Sequence, residues 1–71
     1  MRDRPPYDTV DVGGRELVVV QYLANDYITL VDKKQARKLW KAGDVGIMGP
    51  EDWATIKSNG GAGLNVDPAY L

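Results

Sequence analysis

At 71 residues the chain has room for one domain, and with neither cysteine nor histidine it has no disulfides and none of the usual zinc ligand sets. Nine basic and ten acidic residues leave a formal net charge of −1, which does not suggest a protein that binds nucleic acid through overall electrostatics. A core this small gains from support, so self-association or docking onto a partner is the expected supplement, although domains of this size also fold alone. The aspartates show no calcium-loop spacing, and no metal or cofactor is expected.

Residues 1–8 read as an N-terminal arm. Arg2, Asp3 and Arg4 are charged, and Pro5-Pro6 favours an extended polyproline conformation. The arm lacks the apolar run of a secretory signal, and no stretch approaches the roughly 20 apolar residues of a membrane span. A cytosolic setting without membrane contact is the expectation.

Residues 9–58 read as a single α+β domain. Its first part, residues 9–31, has the pattern of a three-stranded antiparallel meander. Val10 and Val12 alternate with Thr9 and Asp11, and Gly13-Gly14 suits a tight hairpin turn. Leu17 to Leu23 forms the second strand, Asn25-Asp26 the second turn, and Tyr27 to Val31 the third strand. Two-residue turns would set Val10 opposite Leu17 and Leu23 opposite Ile28. One face then carries Val10, Val12, Leu17, Val19, Leu23, Ile28 and Leu30, and the other Val18, Val20, Tyr22, Tyr27, Thr29 and Val31. An antiparallel sheet with one wet face alternates apolar with polar residues, whereas this one is largely apolar on both sides. The second face is therefore either an interface or the seat of a helix or terminal arm.

Residues 32–43 form the better-marked helix. Asp32 is an N-cap with Gln35 three residues on, and Gly43 supplies the stop. Ala36, Leu39 and Trp40 share one side, and Lys34, Arg37, Lys38 and Lys41 share the opposite side. That basic stripe is either a contact for phosphates or an acidic surface, or a solvated face whose late charges suit the helix dipole. Asp44 to Met48 suits a short fourth strand. Gly49-Pro50-Glu51-Asp52-Trp53 then opens a second, short helix with Trp53 and Ile56 on one side, ending at Asn59-Gly60-Gly61. Both tryptophans are expected in the core first.

Residues 59–71 read as a C-terminal arm. Gly60, Gly61 and Gly63 loosen it, while Leu64, Val66, Tyr70 and Leu71 make it apolar. The glycine run lacks the Gly-Lys-Ser/Thr ending of a P-loop and reads as a joint. Catalysis has little to work with. No Ser-His or Cys-His pair can be assembled, and adjacent Glu51 and Asp52 point apart on a helix. No enzyme is expected.

The run Val31-Asp32-Lys33-Lys34-Gln35-Ala36-Arg37-Lys38-Leu39-Trp40-Lys41-Ala42-Gly43-Asp44-Val45 resembles a segment of small head and tail accessory proteins of tailed bacteriophages. The resemblance covers about a fifth of the chain and carries no catalytic residue. It implies a small structural protein of the virion, or one encoded by a phage. On this reading the chain is a non-enzymatic accessory subunit that binds a larger protein assembly, such as a capsid or tail, through Tyr22, Tyr27, Leu64, Val66, Tyr70 and Leu71. The alternative is a small regulator of a host enzyme or nucleic-acid complex, with Lys34, Arg37, Lys38 and Lys41 as the contact.

Overall fold

A computed structural model describes residues 8–71, so the expected N-terminal arm lies outside the described residues except for exposed Asp8. The elements run β1 (Val10–Val12), β2 (Arg15–Tyr22), β3 (Ile28–Asp32), α1 (Lys33–Lys41), β4 (Val45–Met48) and α2 (Pro50–Ser58), with a final 3₁₀ turn at Pro68–Tyr70. They form an α+β domain with a four-stranded antiparallel sheet. None of its helices is long and apolar enough to cross a membrane.

The first hairpin follows from its glycines. Gly13 and Gly14 take φ of +59° and +84°, the left-handed pair that a two-residue turn needs. Asp11 Oδ1 accepts from the Gly14 N–H at 3.0 Å. The resulting register sets Val10 opposite Leu17, as the sequence implies.

The second hairpin departs from expectation. Gln21, not Leu23, lies opposite Ile28. The Tyr22 N–H donates to the Tyr27 carbonyl at 2.8 Å, so the loop is four residues long, Leu23 to Asp26. Asp26 adopts φ +58°, and Asn25 Oδ1 accepts from the Tyr27 N–H at 3.1 Å. This side-chain bond builds the longer turn. The change shifts the pairing by two residues, so the two faces keep their expected members. Leu23 and Tyr27, expected as strand residues, lie just outside β2 and β3, and Leu23 is 61% exposed.

Strand β2 is the centre. β3 runs along one edge, while β1 and β4 share the other, β1 beside Arg15–Leu17 and β4 beside Val19–Tyr22. Val18, Val19 and Val20 are fully buried.

Each face is covered by one helix. Leu17, Val19, Ile28 and Leu30 pack with Trp53 and Ile56 of α2, edged by Val10, Val12, Met48, Val66 and Tyr70. On the other side, Val18 and Val20 pack with Ala36 and Val45, edged by Tyr22, Val31, Leu39, Trp40 and Ile47. The second sheet face is therefore not an open interface: α1 lies on it through the Ala36, Leu39 and Trp40 side.

Local chemistry places both helices. Asp32 is at once the last residue of β3 and the N-cap of α1, its Oδ1 accepting from the Gln35 N–H at 2.7 Å. The chain thus passes from strand to helix without a loop and folds back on the sheet. Gly43, at φ +79°, ends α1. Its N–H reaches the Trp40 carbonyl and the Asp44 N–H reaches the Leu39 carbonyl, the bond pair of a Schellman cap. Pro50 opens α2 behind Gly49, with Glu51 and Asp52 in its first turn.

Two substitutions test this assignment by urea unfolding. Asp32→Ala removes one cap bond and is expected to cost about 1 kcal/mol. Trp53→Ala empties a core position and is expected to cost about 3–5 kcal/mol, enough to leave so small a domain largely unfolded. A smaller loss for Trp53→Ala than for Asp32→Ala would contradict the burial described.

Candidate functional site

The C-terminal segment is held along the outer edge of β3. The Ile28 N–H donates to the Asn65 carbonyl and the Asp67 N–H donates to the Ile28 carbonyl, each at 2.8 Å, making a parallel bridge between Ile28 and Val66. Asn65 Nδ2 also donates to the Asn25 carbonyl at 3.3 Å, which ties the segment to the β2–β3 turn. Val66 drops onto the α2 side of the sheet, and Asp67 lies on the other side beside Thr29.

Asp67 is the clasp. Its Oδ2 accepts from the Thr29 hydroxyl at 2.8 Å, and its Oδ1 accepts from the Ala69 N–H at 3.0 Å, capping the Pro68–Tyr70 turn. Thr29 is nearly buried, so this bond also satisfies a hydroxyl shut away from water. The Ala69 N–H, then the Thr29 and Tyr27 hydroxyls, hold the Asp67 carboxyl below its ordinary range despite some opposing desolvation. Tyr27 responds in the opposite sense: partial burial, then the Asp67 charge and their hydrogen bond, raise its phenol above the ordinary value.

Of the six residues expected to contact a partner, Tyr27 hydrogen-bonds the clasp at Asp67, whereas Tyr22 edges the core on the α1 side and Val66 and Tyr70 edge it on the α2 side. Tyr22 and Tyr27 stack obliquely, with ring centroids 6.3 Å apart and planes at 40°. Tyr70 lies near enough to Tyr27 to influence its titration. All three tyrosines are half-buried. Leu64 and Leu71 are each 50% exposed. Val66 is mainly structural: with Leu71 it presses on Gly61, where an added Cβ would stand 3.0 Å from Leu71 Cδ1 and 3.4 Å from Val66 Cγ2. Gly61 also has φ +73°, so the glycine run is a fitted corner as well as a joint.

Sequence reasoning missed Asp67, Thr29 and Leu23. The Asp67-Pro68 pair was the available signal, since Asp before Pro favours a turn start. Thr29 gave none, because its partner lies 38 positions away.

Lys34, Arg37, Lys38 and Lys41 are exposed on the outer side of α1, away from the sheet. With Asp32 and Gln35 they line a shallow hollow of about 470 Å³. Among the described residues, the ion pair near this helix joins Lys33 to Glu16 at 3.3 Å, and no carboxylate pairs with the four stripe residues. The acidic start of α2 borders another hollow, lined by Asp8, Gly49, Pro50, Glu51 and Asp52.

Comparison with protein-family models, with curated proteins and with solved structures finds no match to this chain.

The clasp makes a pH prediction. A carboxyl whose folded pKa is lowered contributes stability above its ordinary value of 3.8 and loses that contribution as pH falls through the folded value. Unfolding midpoints measured from pH 6 down to pH 2 are therefore expected to fall further for the wild type than for Asp67→Asn. Parallel curves would show that the clasp contributes nothing.

Proposed function

We propose that this chain is a non-enzymatic accessory protein that docks onto a larger protein assembly through the edge built by its C-terminal segment. The observation that carries this reading is the clasped C-terminal segment beside β3, which carries half-buried Tyr70 and exposed Leu64 and Leu71 and reaches through Asp67 to Tyr27, whose ring meets Tyr22. Tyrosines with one side packed and the other open are frequent anchors in protein interfaces. They offer apolar area at little entropic cost, since their rings are already held.

Several features support a binding role over a catalytic one. The chain has neither His nor Cys, and its one serine, Ser58, stands exposed at the end of α2. Asp67, the carboxylate with the lowered pKa, spends its acceptors on Thr29 and Ala69. The resemblance of residues 31–45 to phage head and tail accessory proteins suggests a capsid or tail as the assembly. The setting would then be the virion, or the cytosol during assembly.

Leu64→Glu with Leu71→Glu provides the test, because both side chains are 50% exposed and neither belongs to the buried core. In the cells that naturally make it, the wild-type chain is expected to sediment with high-mass fractions. The double variant should move to low-mass fractions while its unfolding free energy changes by no more than about 0.5 kcal/mol per site. A wild type found free, or a variant that still co-sediments, would overturn the reading.

A further inference from the structure

The outer side of α1 is a second surface, independent of the clasped edge. Lys34, Arg37, Lys38 and Lys41 stand at i, i+3, i+4 and i+7, so each lies beside another cation. Such like-charge neighbours weaken a helix, and solvated helix faces commonly offset them with glutamates one turn away. α1 contains no acidic residue. The helix dipole accounts for Lys38 and Lys41 in the last turn, but it disfavours Lys34 in the first. The stripe therefore weakens the helix locally, and core packing does not require it, since Ala36, Leu39 and Trp40 hold α1 to the sheet from the opposite side.

We propose that this stripe is a docking site for a short acidic segment of a partner protein, its carboxylates pairing with Lys34, Arg37, Lys38 and Lys41. The stripe's dimensions and surroundings favour that partner. From Lys34 to Lys41 the helix rises about 10 Å, or two turns. Exposed Asp32 and Asp44 stand before and after α1. A phosphate backbone running along the stripe would meet these like charges at both ends, whereas a two-turn acidic segment fits between them. The wide basic footprint of nucleic-acid binders is missing too, since the whole chain carries a net charge of −1. The hollow, lined by the lysine and arginine stems with Gln35 and, at its N-terminal end, the Asp32 carboxylate, gives the segment a partly apolar floor, because such stems are hydrocarbon below their charged heads.

Fluorescence anisotropy with the full-length protein tests this. The probe is a labelled helical peptide with glutamates at i, i+3, i+4 and i+7, titrated at low salt beside a labelled DNA duplex. The peptide is expected to bind more tightly than the duplex, and Arg37→Glu with Lys38→Glu to weaken it by about tenfold or more. Leu64→Glu with Leu71→Glu should leave peptide binding unchanged, so failure here and failure of the docking edge are read separately. Tighter binding of the duplex, no binding of the peptide, or indifference to the charge reversal would each overturn the proposal.

Discussion

Everything in this molecule rests on burying one strand from both sides. Val18, Val19 and Val20 are consecutive, so they alternate across the sheet, and none has any exposed surface. Each fully buried valine contributes on the order of 1.5–3 kcal/mol, which must offset the entropy lost on ordering the chain. A one-sided sheet would leave half of that contribution in water. The two nine-residue helices therefore do the same work on opposite faces, α1 through Ala36 and α2 through Trp53 and Ile56. No disulfide is available to replace either one.

Covering both faces decides which surfaces stay exposed. The broad sheet surfaces are used up internally, which leaves edges and outer helix sides. At the β3 edge, Asp67 holds an apolar terminal segment as a strand-like border, with Tyr27 and Tyr70 partly exposed. On α1, the side turned away from the core carries only polar and cationic groups. An apolar, aromatic edge and a cationic helix face differ in chemistry, and they are built by different elements.

Local chemistry made much of the fold legible in the sequence. Gly13-Gly14 fixed the register of β1 on β2, and Asp32, Gln35 and Gly43 bounded α1 within a residue or two, because each acts on its immediate neighbours. The membership of the two sheet faces was legible from alternation alone. The four-residue turn was not, since it depends on Asp26, a non-glycine residue, adopting a left-handed conformation. Nor was the identity of what covers each face, because periodicity reports that a side chain is buried without naming its partner. Of the candidate contacts, the apolar character of Leu64, Val66, Tyr70 and Leu71 could be read, but not the return of their segment to the β3 edge. That return depends on the Thr29–Asp67 and Asn25–Asn65 bonds, which join positions 38 and 40 residues apart.

The most direct measurement uses the absence of native cysteine. Val18→Cys and Val19→Cys place single thiols on opposite faces of β2, and each monomeric variant, isolated by size-exclusion chromatography with light scattering, is exposed to a thiol reagent. If α1 and α2 cover the two faces within one chain, both thiols should react only as fast as the protein unfolds. Reaction of either thiol in the folded monomer at the rate of a free cysteine would show that its face is open and would contradict this account.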